Sequence, residues 1–173
     1  MTGQINVNKI AARTGNTITV ESGDVFHQPG SIIQAVQLHT PGNVGTSSSS
    51  ILTTTSTDYV DFISKAITTK LANSLIYVKT YTMQYNNAQV YGDGRLLRDS
   101  TEIDACKYQI YMDTGGYFIP ISFQVLDSPG AAAGTTITYK QQAKKTSAGT
   151  VRLGYGDGGG KVNTNMILME IAP

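Results

Sequence analysis

Tryptophan is absent from this sequence of 173 residues, cysteine occurs once and histidine twice. A lone cysteine, Cys106, excludes an intrachain disulfide framework. It alternates with Tyr108, Ile110 and Met112 and reads as a small hydrophobe packed in a strand rather than a reactive thiol. His27 and His39 sit in polar, turn-like surroundings without a second ligand at zinc-like spacing, so exposed loop histidine is the expectation. Charged residues make up only 14% of the chain and balance to a net charge of +1. That leaves no field to draw nucleic acid or an anionic membrane surface. No run of about 18 apolar residues occurs and MTGQINVNKI has no apolar core, so neither membrane insertion nor a signal peptide is expected.

What the chain does contain is apolar residues at 40%, 18 glycines and an abundance of Thr, Ser and Asn. This composition suits an extracellular or particle-bound β protein better than a helical enzyme. Short alternating segments recur. Ser31 to Leu38 (SIIQAVQL), Tyr59 to Ile63, Ser74 to Tyr85, Ala105 to Met112, Val151 to Tyr155 and Asn165 to Ala172 each read as strands, and Lys65 to Leu71 reads as strand or short helix, with β-branched Ile67, Thr68 and Thr69 favouring strand. Phe118 to Gln142 reads as strand, turn, strand: Ile119, Ile121, Phe123 and Val125 alternate, DSPG interrupts, and Ile137 and Tyr139 return, which predicts a central hairpin. Tyr91-Gly92-Asp93-Gly94 reads as a turn before Arg95 to Arg98. With no long helix and no α/β alternation, the fold expected is an all-β antiparallel sandwich of jelly-roll type over residues 31–173.

Residues 1–30 differ. Ile5, Val7 and Ile10, then Ile18 and Val20 across a Gly15-Asn16 turn, make two very short strands with little to bury. A short N-terminal β-arm that anchors the chain to a particle or interlocks subunits is one reading, and a hairpin folded back on its own domain is the other. Within Ser74 to Tyr85 both faces are apolar. Leu75, Tyr77, Tyr81, Met83 and Tyr85 share one side, so a central strand or a subunit interface through Tyr77, Tyr81, Met83 and Tyr85 is expected.

Candidate chemistry is sparse. Gly154 to Lys161 (GYGDGGGK) resembles a phosphate cradle, but Val162 follows the lysine and no helix opens there, so a hairpin tip is expected. No serine occupies a G-x-S-x-G turn. Asp99, Glu102 and Asp104 could hold calcium or act as a glycosidase pair; with Arg95 and Arg98 beside them, surface ion pairs are the default. Polar loops over residues 39–50, 86–94 and 154–161, with His39, Asn43, Asn86, Asp93 and Asp157, are candidate receptor contacts. Neither a catalytic site nor a cofactor is expected.

The order INVNKIAARTG (Ile5–Gly15), SIIQAVQ (Ser31–Gln37), RLLRDSTEI (Arg95–Ile103), FQVLDSPGAAAGTTITYK (Phe123–Lys140) and MILMEIAP (Met166–Pro173) resembles a broad family of virion structural proteins of tailed bacteriophages, especially aquatic ones. The resemblance spans nearly the whole chain, and the DSP turn together with the MEI ending is its most specific part. It implies a short fibre, spike or capsid decoration subunit with a head similar to trimeric C1q/TNF-like jelly rolls. No catalytic residue comes with it. The implied partners are further copies of the chain in a homotrimer and other capsid or tail proteins. The implied location is the particle surface after assembly in the host cytoplasm. The alternative is a tail-fibre tip that binds a host-surface glycan.

Overall fold

The computed structural model describes residues 28–40, 52–86, 92–108, 117–146, 149–155 and 162–173. These form eleven strands: β1 (Ile32–Thr40), β2 (Leu52–Thr54), β3 (Val60–Thr68), β4 (Leu75–Asn86), β5 (Gly92–Arg98), β6 (Thr101–Tyr108), β7 (Tyr117–Ile121), β8 (Gln124–Asp127), β9 (Thr136–Lys145), β10 (Val151–Leu153) and β11 (Thr164–Ile171). The N-terminal arm with Ile5, Val7, Ile10, Ile18 and Val20 lies outside the described residues, as do His27, Asn43 and Asp157.

All pairings are antiparallel. The first sheet is organised on β4, whose 12 residues are flanked on both sides. On one side its first half pairs with β11 and its second half with β10; on the other side β8 and β7 divide it in the same way. Beyond β11 lies β1, and beyond β10 lies β2. Three of the four strand positions are therefore interrupted between the levels of Lys79 and Gln84, and only β4 runs through. The second sheet is β3-β9-β5-β6.

Counting the broken strands as single positions, the pairs are β1 with β11, β3 with β9, β4 with β7 and β8, and β5 with β6. This is one long antiparallel ribbon folded over on itself, the defining path of a jelly roll. The ribbon's tip is the β5–β6 turn. Asp99 takes φ 52° there, its N–H donates to Thr138 O at 2.7 Å, and its Oδ1 accepts from Thr138 N at 2.9 Å. An aspartate tolerates the left-handed region because its carboxylate bonds locally to backbone.

The sheets meet through period-two faces. Ile76, Val78, Met166 and Leu168 from the first sheet pack against Phe62, Ile67, Leu96, Ile137 and Tyr139 from the second. A bulge between Asp61 and Ile63 lets the neighbours Phe62 and Ile63 both enter the core. The terminal strand β11 sits between β1 and β4, as its apolar character predicts, with Met166, Leu168 and Glu170 inward.

Two local expectations are corrected. Phe118–Gln142 is not a hairpin: β7 and β8 pair with β4 in the first sheet, whereas β9 lies between β3 and β5 in the second. Ser128 to Thr135 crosses from one sheet to the other. The crossing is held where Tyr139 Oη donates to Asp127 Oδ2 at 2.6 Å and Arg98 reaches Asp127 Oδ1 at 2.8 Å. Gly92 to Gly94 is strand rather than turn. A Cβ on Gly92 would stand 3.1 Å from Gln84 Nε2 and 3.3 Å from Val151 Cγ2, so this glycine permits close packing of the two sheets.

Candidate interaction surface

The inward carboxylate of Glu170 fixes one end of the first sheet. It accepts from Lys70 N (2.8 Å), Leu71 N (2.9 Å), Ser74 Oγ (2.7 Å) and Gln34 Nε2 (2.6 Å). Burial pushes its pKa up, but the bonds from Leu71, Ser74, Gln34 and Lys70 outweigh that and hold it below the ordinary glutamate value. This explains why the strand expected over Lys65 to Leu71 ends at Thr68. The next residues turn so that their N–H groups point at Glu170, with Asn73 at φ 59°. At the sheet crossing, burial first and then the Asp127 bond raise the pKa of Tyr139, so its hydroxyl stays a donor.

With the inner row of β4 occupied by Ile76, Val78, Thr80, Thr82 and Gln84, its other row must face outward. That row contains Leu75, Tyr77, Lys79, Tyr81, Met83 and Tyr85. Directly opposite residues share a face, so register fixes their neighbours. Met169 and Leu126 flank Tyr77, Ile167 and Gln124 flank Lys79, and Ile171 lies beside Leu75. One strand further out, Ile32, Ala35, Gln37 and His39 continue the rows. The exposed large hydrophobics of the described residues are Ile32 (61%), Leu126 (57%) and Tyr81 (38%), and all three lie on this face.

The outer face of the second sheet is built differently. Lys140 stands 3.8 Å from Asp61, Lys144 stands 3.8 Å from Asp93, and Arg95 reaches Glu102 at 3.2 Å. Arg95 Nε also donates to Gln142 Oε1 at 2.7 Å, and Arg95 and Lys144 both pack on the Tyr59 ring. That network is an ordinary solvated surface.

The structure thus brings Tyr77, Tyr81, Met83 and Tyr85 onto one face. Of the receptor-loop residues, His39 is exposed on that same face, whereas Asp93 belongs to the ion-pair network of the other sheet. Asn86 closes β4 opposite Val151. The acidic trio is divided: Asp99 caps the ribbon tip and Glu102 pairs with Arg95, which is the surface ion pair expected from the sequence. Among the described residues no three His, Cys, Asp or Glu are grouped to hold a metal ion. No helix among them is long and apolar enough to cross a membrane.

The sequence reading missed the far end of the face. Across one rung, Phe118 of β7, Tyr85 of β4, Arg152 of β10 and Thr53 of β2 stand side by side. Tyr155 leans over this rung, 4.9 Å from the Tyr85 ring centre, and Phe118 lies 5.1 Å from Tyr85. The guanidinium of Arg152 lies 5.1 Å and 5.7 Å from the centres of the Tyr155 and Tyr85 rings. Phe118 and Tyr85 are far in sequence from each other and from the neighbouring Arg152 and Tyr155, and only the pairing register of β7 and β10 on β4 could have joined them.

The fold and surface define a jelly-roll β-sandwich with one ion-paired outer face and one that carries the exposed large hydrophobics of the described residues. No protein-family model matches the chain, and no curated protein matches it in sequence. Solved structures similar to it include dimeric latent PorU from Porphyromonas gingivalis, with a TM-score of 0.44 and 9% identity over 84% of this chain and 14% of that one. Infectious bursal disease virus, Gx strain, gives 0.40 and 10% identity over 91% of this chain and 41% of that one. The Gt strain gives 0.36 and 12% over 91% and 42%. The chain spans less than half the length of each of these proteins. The jelly-roll assignment rests on its own strand pairing.

Proposed function

We propose that this chain is a non-enzymatic structural subunit of a bacteriophage virion, a homotrimer joined through the outer face of its first sheet. The observation that carries the self-association is the contrast between the two outer faces. Every exposed large hydrophobic of the described residues lies on one, and ion pairs cover the other. The face also carries Lys79, Gln124, Gln37 and His39, and association would cover the three exposed hydrophobics set among them.

The trimeric number and the phage assignment come from the family resemblance, and the face comes from geometry. In this reading residues 1–30 attach the subunit to capsid or tail proteins, and residues 31–173 form a decoration, short fibre or spike head on the particle surface. Ile32→Asp and Leu126→Asp test the interface, because both side chains are already solvent-exposed within the subunit and neither change should disturb its core. The double variant is expected to elute as a folded monomer by light scattering. An unchanged trimer would remove this face from the account.

A further inference from the structure

We infer that the rung formed by Phe118, Tyr85, Arg152 and Tyr155 is a binding site for a carboxylate-bearing sugar. The rung lies at the far end of β4, where Tyr85 is eight residues, about 26 Å, from Tyr77 and four, about 13 Å, from Tyr81, so the proposed subunit contact covers Leu75 to Tyr81 and stops short of this rung. The Phe118 and Tyr155 rings are nearly parallel, at 10° and 6.2 Å, and Tyr85 contacts both. All four side chains are half-buried, so the platform is held by its own packing and retains surface open to solvent. Such a surface binds without ordering loose side chains. The C–H groups of a pyranose ring carry partial positive charge and pack on the negative face of an aromatic ring.

Arg152 supplies the charge selectivity. Of the described arginines, Arg95 is paired with Glu102 and Arg98 with Asp127, and Arg152 alone has no carboxylate partner among the described residues. Its guanidinium lies over two rings. Stacked in this way it keeps its N–H fork for a planar, bidentate acceptor such as a uronate carboxylate. The flank on the β2 side is the exposed, neutral Thr53. A small polar-edged aromatic platform with one cation that has no carboxylate partner among the described residues fits an acidic sugar better than it fits a protein surface.

The test is calorimetry and saturation-transfer NMR on the full chain with a trisaccharide of galacturonic acid and its neutral galactose counterpart. The acidic sugar is expected to bind at least 10-fold more tightly. Arg152→Gln should remove that preference while leaving the weaker neutral binding, and Tyr155→Ala should weaken both. Light scattering of the two variants should match the parent, which separates this result from the oligomer reading. Arg152→Gln should also melt like the parent, whereas Tyr155→Ala, which loses its packing on Tyr85 and Phe118, should melt somewhat lower while remaining folded. Absence of saturable binding to either sugar overturns the inference. So does binding unchanged in both variants, or stronger binding of an oligo-glutamate peptide at the same rung.

Discussion

At the scale of single residues, two buried acids connect the sheets and account for much of the path between them. Glu170 is fully buried on the inner row of β11 yet stays ionised, because two backbone N–H groups, a serine hydroxyl and a glutamine amide converge on it. Above about pH 4.5 the folded and unfolded chains both hold it ionised, and its stabilisation is fully present. As the pH falls below that value the unfolded chain takes up the proton first, so stability declines until the lower folded pKa is passed. Glu170→Gln is expected to lower stability by about 1–3 kcal/mol at neutral pH and to flatten this acid limb. Denaturant melts from pH 7 to 3 measure both. Tyr139→Phe leaves the buried Asp127 short of its hydroxyl donor and should destabilise by about 1–3 kcal/mol, read from the same melts.

At the scale of elements, the legible parts were those in which one strand carries its own instruction. The period-two rows of β4 and β11 and the burial of β11 between neighbours follow from alternation and apolar character alone, whereas the edge position of β1 does not. Phe118–Gln142 was misread because a DSPG sequence between two alternating runs is compatible with a hairpin and with a corner. The choice is made by partners distant in sequence, Arg98 with Asp127 and β3 and β5 with β9. Gly92 is a similar case, since a glycine required for close approach carries the same letter as a glycine in a turn. The aromatic rung was illegible for the same reason: it exists only once β7 and β10 have paired with the same stretch of β4. Because β4 is paired on both sides along nearly its whole length, its amides should be among the slowest to exchange with deuterium. Faster exchange in β4 than in the edge strand β1 would contradict this topology.

At the scale of the whole molecule, the two outer faces determine the reading of function. The second sheet meets water through paired charges, while the first presents Ile32, Tyr81 and Leu126 beside Tyr77, Ile167 and Met169. A monomer would leave that face uncovered, whereas the proposed trimer would remove it from solvent. Of the residues marked in the sequence as a possible interface, Tyr77, Tyr81 and Met83 share the face with residues from β1, β8 and β11 that the strand pattern alone did not join to them, and Tyr85 stands at its far end. The measurement that tests the account most directly is the mass of the intact chain in solution by light scattering at micromolar concentration. The account predicts three times the 18.5 kDa chain mass. A stable species at the mass of one chain would contradict it.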